Sequence, residues 1–329
     1  MGEKILTLVI NVVSHLVNKS FKKLKLGLIG GGSQFNRISQ ILKGFDLNFF
    51  KYKPAGPQYY DKFEFKKLRE CDAIFILSPN HTHMEYIEKL HTESYVFCEK
   101  PPVSSMEQLE KLKSLPHEKI YFNFNWRFST LAEILRSRES YDLGELIYGN
   151  IITGHGLALK EEYSRSWRAN RNFCNKGVFE IVSVHWVDLI NHIFDIKEIC
   201  TPSLLNLSGK GDSFDNSCTK IILDNNQEID IFSSYTSPYL DRKIFAFSNG
   251  YVEQVLNAIE IRGPAMNLDK DGFFKNPELI RKVDVNEYED YNLSIKSSVI
   301  NFLEMVLQGA PFPLRDFNCS IRSNELILT

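Results

Sequence analysis

The sequence predicts an α/β fold with two domains, the first of which holds a doubly wound parallel sheet. Three observations lead to this prediction. The length of 329 residues is about twice that of a typical domain. Short apolar runs alternate with helix-like segments in the first part of the chain, as in parallel sheets whose strands are joined by helices. The first apolar run ends at three glycines that lead into a helix.

The elements of the first domain follow from the apolar runs and the residues that flank them. Predicted strands cover residues 24–29, 47–50, 73–77, 95–98 and 120–124. Predicted helices cover residues 33–43, which a glycine closes, and residues 84–90 and 105–115. In sheets of this kind ligands bind beyond the carboxyl ends of the strands, so the residues that follow each run are candidates for a site.

Composition and charge exclude several classes of protein. Hydrophobic residues make up 43% and charged residues 24% of the chain, as in ordinary globular proteins, so disorder is not expected. The 39 Lys and Arg residues are balanced by 41 Asp and Glu, which lacks the basic surplus of nucleic-acid-binding proteins. Six cysteines without a C-x-x-C spacing predict reduced thiols in a cytoplasmic protein rather than disulfides or a zinc site.

Residues 1–23 predict an additional element before the first strand. Apolar residues recur there at three- and four-residue spacing, which predicts an amphipathic helix over residues 3–18. Its apolar run is too short and too interrupted to span a membrane, which takes roughly 18 to 20 apolar residues. We expect this helix to pack on the domain that follows or on a second subunit.

The glycine turn fits the binding of a dinucleotide. Gly30 and Gly32 let backbone N–H groups approach a pyrophosphate, and a helix that begins near Ser33 stabilises its negative charge. We predict that cofactor contacts extend through Gln34 to Phe35, which stands where the usual pattern has its third glycine. A tight turn without a ligand is the alternative.

The end of the second predicted strand bears on the choice of cofactor. NAD-binding domains commonly carry an acid here that binds the ribose 2′-hydroxyl, whereas this chain has Lys51 and Lys53. These ammonium groups can accept a 2′-phosphate, so we predict NAD or NADP as cofactor with a preference for NADP. Two solvated lysines are the alternative.

Several short motifs occur together in a characteristic order. After the glycine turn come Ser78-Pro79-Asn80 with His83, Cys98-Glu99-Lys100-Pro101, Asn125-x-Arg127-Phe128, Trp167-Arg168, and the segment from Gly177 to His185. Each motif is short, but the order and separations of the set are specific. Over residues 24–315 the set resembles the glucose-fructose oxidoreductase and inositol dehydrogenase family, known as Gfo/Idh/MocA.

This resemblance implies a fold for the whole chain. Residues 24–125 would form a Rossmann-like dinucleotide-binding domain. Residues 126–329 would form an α+β domain for substrate binding and oligomerisation, with a large, mostly antiparallel sheet. The sequence is compatible with strands at 145–154, 220–223, 229–232, 242–247 and 254–261. Helices are predicted within 167–194, at 295–307 and at 320–328.

The resemblance also implies roles for individual residues. Lys100 would lie beside the nicotinamide and the substrate hydroxyl, and His185 would exchange the hydroxyl proton. Further cofactor-binding positions would be Ser78, Pro79, Asn80, His83, Glu99, Pro101 and Asn125. Substrate-binding positions would be Arg127, Tyr163, Trp167, Arg168, Glu180 and Asp188. No metal is expected, because the family reaction needs none.

One departure from the family pattern concerns catalysis. Where the family commonly has Asp four residues before its histidine, this chain has Ile181. Three interpretations are open. Glu180 takes that role through a local distortion of the helix, or Lys100 and His185 act without a carboxylate, or the protein has lost activity.

The sequence therefore predicts an NAD(P)-dependent oxidoreductase that transfers a hydride between nicotinamide and a secondary hydroxyl or ketone of a sugar, sugar derivative or polyol. Arginines at 165, 168 and 171 make an acidic sugar or a nucleotide-sugar attractive, since guanidinium groups bind carboxylates and phosphates. A non-catalytic dinucleotide- or sugar-binding relative is the main alternative, and a reductase of another small carbonyl or imine compound is a third. We expect a cytoplasmic homodimer or homotetramer.

Overall fold

The computed structural model describes residues 21–53 and 62–329. The predicted N-terminal helix at residues 3–18 lies outside the described residues. The rest forms two compact units. The first holds the described residues up to Val103 with Glu110–Asn123 and Lys296–Asn318, and the second holds Ser104–Leu109, Phe124–Ile295 and Cys319–Thr329. The prediction places all residues after 125 in the second domain, whereas Lys296–Asn318 belongs to the first unit.

The first unit is built on a five-stranded parallel sheet with the strand order β2-β1-β3-β4-β5. Its strands are β1 (Leu26–Ile29), β2 (Phe49–Tyr52), β3 (Ala73–Ile76), β4 (Tyr95–Glu99) and β5 (Ile120–Asn123). Every residue of β1, β3 and β5 is buried, as expected for strands covered on both faces. The predicted Rossmann-like sheet is confirmed.

Helices accompany this sheet along the chain. They are α1 (Ser33–Gly44), α2 (Lys62–Arg69), α3 (His83–Leu90) and α4 (Met106–Lys113), the last of which is divided between the two units. The second predicted strand begins two residues later than expected, because the backbone N–H of Leu47 still bonds to the Leu42 carbonyl at the end of α1.

Aromatic packing explains why the chain returns to the first unit near its end. Phe302 lies on α7 (Glu287–Gln308) and is fully buried. Its ring centroid lies 5.3 Å from that of Phe75 and 5.3 Å from that of Phe97. Burial of one such ring stabilises the unit by about 2 to 3 kcal/mol. The final helix, α8 (Leu314–Leu328), begins within the first unit and ends in the second.

The second unit is built on a nine-stranded sheet. Its strands are β6 (Leu146–Gly154), β7 (Ile196–Ile199), β8 (Ser203–Leu205), β9 (Asn216–Leu223), β10 (Glu228–Ser234), β11 (Leu240–Phe247), β12 (Gly250–Val255), β13 (Ala258–Arg262) and β14 (Leu279–Asp284). The order is β14-β13-β12-β11-β6-β10-β9-β7, and β8 pairs with β9. Strands β6 and β10 are parallel and the other neighbours are antiparallel. The predicted large, mostly antiparallel sheet is confirmed.

Some predicted bounds in the second unit are wrong. The single strand predicted at 254–261 is two strands, since Val255 pairs with Ala258 across a two-residue turn. Leu256 adopts a φ of 50° in this turn, a conformation that leucine seldom takes, so no local signal marks it. Strands β7, β8 and β14 were not predicted, and α7 and α8 begin earlier than expected.

The remaining helices of the second unit are α5 (Thr130–Arg136) and α6 (Val184–Ile193), which a π-helical turn at Phe179–Ser183 precedes. No helix among the described residues is long and apolar enough to cross a membrane.

Candidate active site

The glycine turn lies where the first sheet reverses its strand order. Strands β1 and β3 are neighbours, although β2 lies between them in the chain. At the end of β1, Gly30 has a φ of +133°, and a Cβ atom placed on it would lie 2.6 Å from the carbonyl oxygen of Leu77. Only glycine fits this close approach. The turn is therefore at the position where such sheets bind ligands.

Helix α1 starts at this turn without a capping side chain from its N-cap residue. Gly32 is the N-cap residue and supplies no side-chain cap. A Cβ atom on Gly32 would meet no other described residue within 4 Å, so the described part of the chain leaves space beside the positive end of the helix dipole. The side chain of Phe35 is buried and that of Gln34 accepts a hydrogen bond from Arg37.

The two lysines near the turn differ in their surroundings. The Lys53 side chain comes within 3.5 Å of a Cβ atom placed on Gly31, and its ammonium lies 5.5 Å from the Phe35 ring centroid. The ammonium of Lys51 lies 5.7 Å from the ring centroid of Phe49, on its own strand. Lys53 is thus the lysine that adjoins the glycine turn.

Two predicted cofactor residues lie after β3. Asn80 is 2% exposed, its Oδ1 accepts the N–H of His81, and its Nδ2 has no hydrogen-bond partner among the described residues. The ring of His83 lies between two carbonyl groups, with Nε2 2.8 Å from Ser78 O and Nδ1 2.9 Å from Pro101 O. Burial lowers the pKa of His83 to about 4 despite these bonds. The neutral ring has a single N–H, so it donates to one of these two carbonyl groups and only contacts the other, at the ends of β3 and β4.

Glu99 and Lys100 lie at the carboxyl end of β4. Glu99 is buried and accepts a hydrogen bond of 2.6 Å from Asn123 Nδ2 at the end of β5. Burial raises the pKa of this carboxyl, and the bond from Asn123 and the charge of Lys100 oppose the rise. Lys100 itself is half-buried.

In the second unit, Glu180 lies in the π-helical turn before α6. Its Oε1 accepts the backbone N–H of Lys176 over 2.7 Å, and the Cys174 thiol also bonds to it. Burial raises the pKa of Glu180. The helix does have a local distortion, the π-turn, but the Glu180 carboxylate bonds within this turn region to Lys176 and Cys174.

Asp188 and Arg127, both predicted to bind substrate, bind each other. Arg127 Nε donates to Asp188 Oδ2 over 2.7 Å and Nη2 donates to Oδ1 over 2.6 Å. The guanidinium also donates to Ser320 Oγ over 2.8 Å. Both side chains are buried, with 8% and 1% exposure. This bidentate pair fixes α6 three residues beyond His185.

The environment of His185 is partly apolar. His185 and Ile181 are both buried on consecutive turns of the helix, so the position of the family carboxylate holds an aliphatic side chain. The next residue, Trp186, stacks on Trp126 with ring centroids 5.2 Å apart, and the Lys243 ammonium lies 4.8 Å from the Trp186 ring centroid. Asn125, one residue before Trp126, donates to Ser294 Oγ over 2.8 Å.

A cluster of polar aromatic residues lies where the parallel strands β6 and β10 end. His155 follows β6 and Tyr235 follows β10, with their ring centroids 4.8 Å apart. Tyr163 packs against Tyr235 at 5.9 Å, and Arg168 hydrogen-bonds to the Tyr235 side chain. The Tyr163 hydroxyl is buried without a partner among the described residues. Arg168 also lies over the ring of Trp167, 4.4 Å from its centroid.

This cluster joins two predicted substrate residues, Tyr163 and Arg168, with two that the sequence analysis missed. Burial raises the pKa of Tyr163 and of Tyr235, so both remain protonated donors at neutral pH. The signal that would have found His155 and Tyr235 is their place after strands, but their relevance depends on the parallel pairing of β6 and β10 in an otherwise antiparallel sheet.

Comparisons with known proteins relate part of the sequence to a family model and the fold to solved structures. Residues 40–120 match a family model, GFO_IDH_MocA, described as an oxidoreductase family with an NAD-binding Rossmann fold. The family resemblance predicted from the motifs is confirmed. The matched segment contains β2 to β4 and the Glu99-Lys100 pair. No curated protein matches the chain in sequence.

Solved structures share the fold over most of their length. Levoglucosan dehydrogenase in complex with NADH has a TM-score of 0.74 at 13% identity, covering 93% of this chain and 96% of that chain. A myo-inositol dehydrogenase from Corynebacterium glutamicum has a TM-score of 0.68 at 19% identity, covering 92% and 94%. An oxidoreductase from Thermotoga maritima has a TM-score of 0.73 at 19% identity, covering 93% and 94%. These likenesses establish the fold of the chain.

Proposed function

We propose that the protein is an NAD(P)-dependent oxidoreductase that acts on a secondary hydroxyl or ketone of a sugar, sugar derivative or polyol. The observation that carries this proposal is the space that the described residues leave at the uncapped start of α1, at the reversal point of a sheet whose strands β2 to β4 fall within the match to an NAD-binding family model. The sugar dehydrogenases among the structures of the same fold support the class of substrate.

The residues at the first sheet fit a dinucleotide. The backbone N–H groups of Gly32, Ser33 and Gln34 would hold the pyrophosphate, since helix N-termini bind such anions. Asn80 has a buried amide Nδ2 with no partner among the described residues and would donate to the bound group. The nicotinamide of the cofactor supplies hydride chemistry when it is bound.

The chain itself supplies charge stabilisation and proton transfer. The Lys100 ammonium would stabilise an alkoxide at the substrate carbon. His185 would take or return the hydroxyl proton, since histidine changes charge near neutral pH. Arg168 and Tyr235 would donate hydrogen bonds to substrate oxygens. Arg127 and Asp188 neutralise each other and would hold the helix of His185 rather than contact the sugar.

The choice of cofactor would depend on Lys53. Its side chain adjoins the glycine turn, where the acid of NAD-specific domains usually lies. An ammonium there favours a 2′-phosphate and hence NADP.

A non-catalytic relative that binds a dinucleotide or a sugar is the second candidate. The buried Ile181 favours it, because that side chain replaces the carboxylate of the family pattern and cannot assist a proton transfer.

The two candidates are separated by turnover of purified variants on ligands found by thermal shift with nicotinamide dinucleotides and a panel of sugars. Lys100→Ala and His185→Ala should each lower kcat by at least about a hundredfold, the usual contribution of general acid–base groups. His192→Ala, on the same helix, is the matched control and should retain activity. Ile181→Asp should leave turnover unchanged or raise it. A wild type that binds both ligands without hydride transfer in either direction would establish the second candidate.

A further inference from the structure

A chain of side-chain hydrogen bonds ends on Glu99, one residue before Lys100. Asn123 Nδ2 donates to Glu99 Oε1 over 2.6 Å, and Ser298 Oγ donates to Asn123 Oδ1 over 2.7 Å. The Tyr121 hydroxyl lies 3.2 Å from Ser298 Oγ. Asn123 and Ser298 are fully buried. The chain therefore joins α7 to the ends of β4 and β5 inside the first unit.

The chemistry of the groups fixes the direction of this chain. An amide Nδ2 only donates, so Asn301 Nδ2, which lies 3.3 Å from the Tyr121 oxygen, donates to it. Ser298 gives its single proton to Asn123, and Tyr121 must therefore donate to Ser298. Every hydrogen points toward Glu99, which accepts the last one, and a bond donated in this way favours the ionised carboxylate over the neutral acid. Hydrogen bonds aligned in this way strengthen one another.

The charged surroundings of Glu99 complete the account. Burial raises the pKa of the carboxyl, whereas the Asn123 bond, the Lys100 charge and backbone N–H, and the Arg37 charge lower it. Cys98, the preceding residue, is buried with its pKa raised and stays neutral. The Lys100 backbone N–H bonds to the same carboxylate, so the state of Glu99 bears directly on the placement of Lys100.

We propose that Tyr121, Ser298 and Asn123 form a positioning chain that keeps Glu99 an ionised acceptor and thereby fixes Lys100 at the end of β4. The importance of Lys100 in this proposal rests on the proposed function. An amide does not pass protons along, so the chain sets a charge and a position rather than conducting protons. A merely structural role for the same bonds would lower stability but leave the Lys100 amide unmoved when Glu99 titrates.

The test is a carboxyl titration followed by ¹³C NMR on the full chain with ¹³Cδ-labelled glutamate. The Glu99 signal is assigned by its loss in Glu99→Gln. Asn123→Asp keeps the shape of the side chain but replaces the donor with a second carboxylate, and should raise the apparent pKa of Glu99 by at least about one unit. Ser298→Ala should raise the pKa of Glu99 by a smaller amount, and Tyr121→Phe, one bond further from Glu99, by a smaller amount still.

Ser39→Ala is the matched control, because Ser39 is a buried helix serine of the first unit whose hydroxyl has no hydrogen-bond partner among the described residues. It should leave the Glu99 titration unchanged.

The Lys100 amide proton provides the second measurement. In each variant of Asn123, Ser298 or Tyr121 it should shift upfield as the pH falls, with the same midpoint as Glu99. If Asn123→Asp does not fold, the milder variants Ser298→Ala and Tyr121→Phe decide the question.

Unchanged titration of Glu99 in the folded variants would overturn the proposal, and so would a shifted titration with an unmoved Lys100 amide. NADH affinity is also measured as a function of pH. The pH at which this affinity falls on the acid side should shift in each variant by the same amount as the midpoint of the Glu99 titration. A wild type that binds no nicotinamide cofactor would contradict the proposed function alone, since the two NMR midpoints are read without cofactor.

Discussion

The ion pair of Arg127 and Asp188 supports a stability prediction that can be worked out from its geometry. Asp188→Asn would leave the guanidinium, which is 8% exposed, without a counter-charge. Removing one partner of a buried pair costs about 3 to 5 kcal/mol, because the remaining charge has lost both water and its partner. The bond to Ser320 remains and places the expected loss near the lower end of this range.

Urea denaturation followed by tryptophan fluorescence measures the free energy of unfolding of the second unit, which contains the ion pair. All three tryptophans of the chain lie within Phe124–Ile295 of the second unit, so their emission reports on it. The double variant Arg127→Met with Asp188→Leu should lose less than Asp188→Asn, because it removes both buried charges. This order of stabilities is specific to a buried ion pair.

Arg242→Met is the matched control. Arg242 pairs with Glu253 over 2.7 Å on the sheet of the second unit, but the Arg242 side chain is 54% exposed. Exposed ion pairs contribute about 0 to 1 kcal/mol to stability. A loss in Asp188→Asn no larger than that of Arg242→Met would refute the reasoning.

Two further predictions concern the first unit. Lys53→Glu should remove a preference for NADPH over NADH in calorimetry, whereas Lys51→Glu should leave it, because only Lys53 adjoins the glycine turn; equal effects would contradict this assignment. Because burial lowers the pKa of His83 from 6.5 to about 4, the unfolded chain binds more protons between these pH values, and the free energy of unfolding falls as the pH drops through this range. The full loss of unfolding free energy is about 3 kcal/mol. His83→Gln should flatten the plot of unfolding free energy against pH in this range. An unchanged slope would show that another group titrates there.

The sequence predicts the first sheet well because its strands are continuous apolar runs with both faces buried. Strand β3 shows why: Ala73, Ile74, Phe75 and Ile76 are all fully buried, and such a run stands out without any knowledge of its partners. The glycine turn is also predictable from nearby sequence, because the positive φ at Gly30 requires a glycine at that one position.

The sequence predicts partners poorly where they lie far apart in the chain. Arg127 and Asp188 both look like substrate ligands, and only the fold brings them into a bidentate pair. Asn123 and Ser298 are separated by 175 residues, and no spacing rule relates them. Tyr235 gains its setting from a parallel pairing that the hydrophobic pattern does not reveal.

Binding of a nicotinamide dinucleotide at the glycine turn is measured by calorimetry with NADH and NADPH on the wild type, Gly32→Leu and Gly44→Leu. A Cβ atom at either glycine meets no other described residue within 4 Å, so both variants should fold, but only the side chain at position 32 would fill the space at the start of α1. We expect the wild type and Gly44→Leu to bind a nicotinamide dinucleotide and Gly32→Leu to lose this binding. Absence of binding in the wild type, or equal affinity in all three proteins, would contradict the account.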